Sequence, residues 1–167
     1  MNQVEKSDHI KAGIQKGFQD GTSKMAKRRC YGYDTAPDGT LTINPNEAKV
    51  VIWIFERYLQ GDSLGEIVDA LEEQGIPSPS GKTKWNREAI NKMLSNEKYT
   101  GNVLLQKTVS TGVSQLKNDG FSDRFLLPNH HAAIISKEVF EAVQEEKQQR
   151  NPSHENEIAI AMSMQLW

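Results

Sequence analysis

A single cysteine, Cys30, in a chain of 167 residues excludes an internal disulfide framework and any zinc site built from several thiolates. No apolar run approaches the length of a membrane span, and no segment has the order of a secretory signal, so a cytoplasmic protein without a membrane partner is expected. The chain also lacks a phosphate-cradling glycine loop, an HExxH and a CxxC, which leaves no motif for a cofactor, a metal or a small-molecule substrate. Ser78, Ser80 and Ser95 have no neighbouring base with a third group to orient it, as a nucleophilic serine requires. Glu72-Glu73 and Glu145-Glu146 are adjacent on helical patterns, point apart, and are read as solvated surface.

What is present suits one small, charge-rich domain with terminal extensions: 37% of residues are hydrophobic, 25% are charged, and the formal net charge is -2. The expected fold class is α+β and predominantly helical, an enlarged helix-turn-helix-like domain of three helices with a small β element and a C-terminal helix. Residues 1–24 read as a polar helix in which Ile10, Ile14 and Phe18 recur every fourth position. Gly13, Gly17 and Gly21 each cost about 1 kcal/mol relative to alanine, so that helix needs a neighbour.

The first helix of the domain starts at Asn44 with Pro45 at its first position and Glu47 three residues after the cap. It runs to about Leu59, with Val51, Ile54, Phe55 and Tyr58 facing inward. The second starts at a capping box, Ser63 with Glu66, carries Leu64, Ile67, Val68 and Leu71 at i, i+3, i+4 and i+7, and stops at Gly75. The third is capped by Asn86 and runs from Arg87 to about Ser95. Trp85 is read as a core plug rather than a base-stacking ring. Asn102–Lys107 and Phe125–Leu127 read as strands, with Thr108–Asn118 between them an extended or mobile piece rich in Ser, Thr and Gly. His130 and His131 form a loop pair with poor geometry for a metal. A last helix, capped by Ser136, spans 137–150.

The third helix carries the functional signal. Ala89, Ile90, Met93 and Leu94 gather on one side, and Arg87, Glu88, Asn91, Lys92 and Ser95 on the other. Between Lys82 and Lys107 there are six basic residues against two acidic ones, in a chain of slightly negative charge. Such a local reversal of sign is what attraction to a phosphate backbone requires. Arg87, Asn91, Lys92 and Ser95 are the candidate base contacts, because arginine and asparagine pair in bidentate fashion with guanine and adenine. Lys82, Lys84, Lys98 and Thr100 are the candidate phosphate contacts. Lys24, Lys27, Arg28 and Arg29 form a basic run before the domain, read either as solvated charge or as a minor-groove arm.

The wording GIPSPSGKTKW followed by NREAINKMLSNEKYTGNV, with CYGYD at Cys30–Asp34, resembles the recombinase domain of the large serine recombinases, the phage integrases and mobile-element site-specific recombinases. Lys11–Gly21 resembles the end of the helix that follows that family's catalytic domain. HAAIISKEVFEAVQEEKQQ resembles the segment leading into its zinc ribbon, so the likeness spans roughly residues 10–150. It implies double-stranded DNA as partner, at an attachment site, and a homodimer or tetramer for the full-length recombinase; it also favours the arm reading of the basic run. The expected division is a helical extension (1–24), a basic linker (25–30), a DNA-binding domain (31–130), a C-terminal helix (131–150) and a tail (151–167) in which the resemblance is lost. No stretch resembles the family's catalytic serine domain, and its cysteine-rich ribbon is absent. DNA binding without cleavage is therefore expected. A protein-interaction module and a free-standing helix-turn-helix regulator are the alternatives.

Overall fold

The computed structural model describes residues 3–20, 23–110, 114–118 and 124–151. The tail beyond Asn151 lies outside the described residues. The helical pattern and strand positions expected from sequence are found, and the chain is α+β with helices dominant. It divides into two compact units, Met1–Ala48 with Glu97–Ile134, and Lys49–Asn96 with Ile135–Trp167.

The first unit contains α1 (Gln3–Gln19) and three two-stranded antiparallel sheets. β1 (Tyr33–Thr35) pairs with β2 (Leu41–Ile43), β3 (Val103–Leu105) with β6 (Phe125–Leu127), and β4 (Thr108–Ser110) with β5 (Gln115–Lys117). Thr108–Asn118, expected to be an extended or mobile piece, thus contributes the paired strands β4 and β5. Asn118 pins their base: the buried side chain donates to Gln106 O at 2.9 Å, and its N–H to Lys107 O at 2.7 Å.

The end of α1 is anchored. Phe18 is 8% exposed and packs with Ala26, Val103 and Leu105, its ring 6.3 Å from that of Phe125, whereas Ile10 and Ile14 remain 63% and 52% exposed. A second cluster joins β1 to the 3-10 turn Glu97–Thr100. The buried rings of Tyr33 and Tyr99 stack at 6.3 Å, and His131 meets Tyr33 edge-on at 4.8 Å. Burial pushes both tyrosine hydroxyls well above the ordinary phenol range. Asn44 caps α2 (Pro45–Leu59) through Asn46 and Glu47 N–H. Glu47 does not close a reciprocal box; its carboxylate accepts from Gly32 N–H at 2.8 Å and from Arg29 at 2.7 Å.

The second unit holds the rest of α2, α3 (Leu64–Glu73), α4 (Arg87–Leu94) and α5 (Lys137–Arg150). Val51, Ile54, Phe55 and Tyr58 are buried along α2 as the period predicts, while Ile52 turns outward. They share this core with Ile67, Val68 and Leu71 of α3, Ile90, Met93 and Leu94 of α4, and Val143 of α5. Burying side chains of this size contributes roughly 1.5–3 kcal/mol each, which makes this the unit's main cohesion. Ser63 and Glu66 form the complete capping box at the start of α3. Among the described residues no helix is long and apolar enough to cross a membrane.

Candidate nucleic-acid interface

The connection from α3 to α4 is a folded loop. Gly75 adopts a φ of +67°, the left-handed conformation that glycine takes without a Cβ penalty, and Ile76 N–H then returns to Leu71 O at 3.0 Å. Further along, Ser78 N–H donates to Lys82 O at 2.8 Å and Lys82 N–H to Ser78 Oγ at 3.2 Å. Trp85 closes the loop from inside: it is 6% exposed, its indole N–H donates to Ile76 O at 2.8 Å, and its backbone N–H donates to Glu72 Oε1 at 2.9 Å. It is a core plug. Lys82 and Lys84 remain exposed on this loop, with no ion pair or side-chain hydrogen bond among the described residues.

Asn86 caps α4, its side-chain oxygen accepting Glu88 N–H at 2.8 Å. The two faces divide as the periodicity predicts: Ile90, Met93 and Leu94 are buried, and Arg87, Glu88, Lys92 and Ser95 are exposed. Arg87 reaches across the first turn of α3, its guanidinium beside Gly65. Lys92 stands 3.9 Å from Glu88, both well exposed, a weak pairing in water. Asn91 is half-buried and lines a shallow cleft of about 260 Å³ with Ser63, Leu64 and Lys147.

The C-terminal end of α4 is closed by α5. Gln144 Nε2 donates to Leu94 O at 2.7 Å, Lys147 Nζ donates to Asn91 O at 3.3 Å, and Lys147 Nζ also meets Ser95 Oγ. A helix leaves its last carbonyls unpaired and carries partial negative charge there, so an amide and a cation at this end satisfy both needs. Partial burial lowers the pKa of the Lys147 ammonium. The Ser95 hydroxyl, expected on a base, is turned into this network and also donates to Asn91 O at 3.2 Å. Sequence reasoning missed Gln144 and Lys147, which lie some fifty residues from their acceptors. Their only local signal is an i, i+3 spacing on a polar helix.

The run containing Lys24, Lys27, Arg28 and Arg29, expected to be a linker, is a hydrogen-bonded turn. Ala26 N–H donates to Ser23 O at 3.0 Å and Arg28 N–H to Met25 O at 3.3 Å, and Ala26 is completely buried. Lys24, Lys27 and Arg28 point outward, while Arg29 is paired with Glu47. The stem of Lys27 lies over Gly39 of the β1–β2 turn, 2.7 Å from where a Cβ would stand.

Lys98 and Thr100, expected on phosphates, spend their polar groups internally. Thr100 donates to Glu97 O at 2.7 Å and accepts from Asn102, and Lys98 Nζ donates to Arg28 O at 2.8 Å and Met25 O at 3.3 Å. Lys107 is paired with Glu97 at 2.6 Å. Of the cations anticipated as contacts, Lys82, Lys84, Arg87 and Lys92 in one unit and Lys24, Lys27 and Arg28 in the other remain turned to solvent.

A family model described as Recombinase matches residues 45–150. Two solved structures are similar over 74% of this chain. One is a crystal structure of an LSR–DNA complex, at 26% identity, with a TM-score of 0.49 and 33% of that chain covered. The other comes from work on the sequence requirements of the Listeria innocua prophage attP site, at 27% identity, with a TM-score of 0.51 and 43% covered. The chain therefore spans between a third and a half of those two chains.

Proposed function

The chain belongs to the Recombinase family, as the recombinase domain of large serine recombinases, and from that premise we propose that it binds double-stranded DNA sequence-specifically at an attachment site. The parent protein is then a site-specific serine recombinase, and this chain supplies recognition without cleaving the phosphodiester. The observation that carries the reading is the sidedness of α4. One face is built into the core, and the other is open at its N-terminal end, beside three cations, Lys82, Lys84 and Arg87, that have no acidic partner among the described residues. The similar structure from the Listeria innocua attP work supports an attachment site as the target.

In this reading Arg87 and the Asn91 side chain read base edges in the major groove, each good bidentate pair contributing about 1–3 kcal/mol of discrimination. Recognition helices place their N-terminal residues on bases, which is the end of α4 that α5 leaves open. Lys92 and Ser95 lie further along and take a lesser part, Ser95 being engaged by Lys147. Lys82 and Lys84 hold phosphates and set the register. Lys24, Lys27 and Arg28 contribute a second cationic contact, where a narrow minor groove concentrates negative potential.

The test is selection from a random duplex library, followed by mobility shifts on the selected and a scrambled duplex at two salt concentrations. A selected consensus, bound more tightly than its scramble and with affinity falling steeply with salt, is expected. Failure to enrich any sequence, or salt-independent binding, would overturn the proposal in favour of a protein-interaction module.

A further inference from the structure

Lys98 is engaged at both ends. Its backbone carbonyl accepts from His131 Nε2 at 2.6 Å and from the Tyr33 hydroxyl at 3.2 Å, and so is fixed to the aromatic cluster of the first unit. Its side chain then runs to the basic turn, where the ammonium donates to the carbonyls of Arg28 at 2.8 Å and Met25 at 3.3 Å. These two carbonyls bracket residues 25–28, a stretch also anchored by the buried Ala26. A fifth cation beneath Lys24, Lys27, Arg28 and Arg29 is electrostatically unfavourable. Partial burial lowers its pKa, with Lys107 and Arg28 acting in the same direction and Cys30 and Glu97 against it. It stays because an ammonium supplies several donors from one atom, and two carbonyls that point the same way need them. A lysine whose protons are spent on backbone oxygens is poorly placed to hold a phosphate.

We propose that Lys98 is a positioning residue: it holds the 25–28 turn in the conformation that presents Lys27 and Arg28 together, so its contribution to DNA affinity passes entirely through them. This rests on the reading that the turn contacts DNA. It predicts coupling where a direct phosphate contact predicts independence.

The experiment is a mutant cycle on the whole chain with the selected duplex. Its members are wild type, Lys98→Met, the Lys27→Gln/Arg28→Gln pair and the triple variant, each titrated over a salt series, with Lys98→Arg as the conservative replacement. Neutralising the pair is expected to weaken binding about tenfold and to reduce the magnitude of the salt slope by about 1.8, or 0.9 per phosphate contact. Lys98→Met is expected to match that loss, the triple variant to bind no more weakly than the pair, and Lys98→Arg to restore most of the affinity. Additive losses, with Lys98→Met removing about 0.9 from the slope in either background, would identify a direct phosphate ligand and sink the inference.

A second readout needs no DNA. Trypsin cleavage after Lys27 and Arg28 in Lys98→Met is expected to accelerate about tenfold relative to cleavage after Lys82 and Lys84, because the turn opens locally. Unchanged relative rates would overturn the positioning role even if DNA binding fell. If the pair binds like wild type while the proteolysis ratio changes, it is the reading of the turn as a DNA contact that fails, and the affinity claim falls with it.

Discussion

The guanidinium of Arg87 occupies the space that a side chain on Gly65 would need. Its Nη2 lies 3.0 Å, and its Nε and Cζ 3.3 Å, from the position a Cβ there would take. The residue nominated to read a base is thus oriented by the bareness of the preceding helix. Gly65→Ala separates orientation from stability. Alanine in a helix gains up to about 1 kcal/mol over glycine, and the displaced group is the flexible end of a side chain. Thermal melting should therefore be unchanged or raised, while affinity for the selected duplex drops about tenfold and affinity for the scramble holds. A lowered melting temperature, or equal loss on both duplexes, would show that Gly65 serves the fold alone.

Lys84 and Arg87 should fail differently. Lys84→Gln is expected to weaken all duplexes alike and to reduce the salt slope by about 0.9, as loss of one phosphate contact does. Arg87→Ala is expected to cost about 1–3 kcal/mol on the selected site and to relax preference at a single base pair. Mobility shifts on a panel of single-base-pair variants distinguish the two. Identical profiles would dissolve the division between register and readout.

Phe55 carries stability rather than recognition. It is fully buried, with its ring 6.4 Å from that of Phe140. Phe55→Ala should cost about 3–5 kcal/mol in urea unfolding, the range for emptying a large aromatic site. A cost below about 1 kcal/mol would mean that this core can collapse around the gap.

Mild acid should loosen the fold through His130 and His131. Their Nδ1 atoms share a hydrogen bond at 3.1 Å while His131 Nε2 holds Lys98 O. His131 must therefore accept at Nδ1, and protonating it breaks the pair. Burial is the main cause that lowers both pKa values; the Lys98 ammonium lowers both further, and Lys27 acts on His130, whereas the bond to Lys98 O raises that of His131. Because the folded pKa values lie below the unfolded value of about 6.5, the native state favours neutral rings. Their contribution is complete above about pH 6.5 and is lost as pH falls from there through the folded values. The carboxylates of Asp38 and Glu66, lowered by hydrogen bonds from Thr40 and Ser63, act only in a more acidic window. Urea midpoints from pH 8 to pH 5 should fall, and His130→Gln/His131→Gln should flatten that fall. A midpoint independent of pH in the parent chain would contradict the assignment.

Local chemistry was legible in the sequence wherever its partners are local. The caps at Asn44, Ser63, Asn86 and Ser136 and the inward stripe of α2 follow from spacings of three and four residues, and all are found. The family and the helix-dominated α+β fold were legible for the same reason, since they rest on ordered short patterns. Partners distant in sequence were not. Lys98 and Ser95 look like free polar groups in the sequence because their acceptors and donors lie about seventy and fifty residues away. The 108–117 hairpin was missed because β4 and β5 are only three residues long and Asn118, which fixes their base, gives no periodic signal. Among the exposed cations, outward direction was foreseeable, but which of them remain uncommitted depends on the tertiary fold.

The amide and ammonium that Gln144 and Lys147 extend to the far end of α4 make the unit around this helix discontinuous along the chain. Anyone exchanging target preference between relatives must transplant residues 49–96 and the 135–151 segment as a matched set. A graft of the first piece alone would leave α4 with open carbonyls and a side wall of foreign sequence.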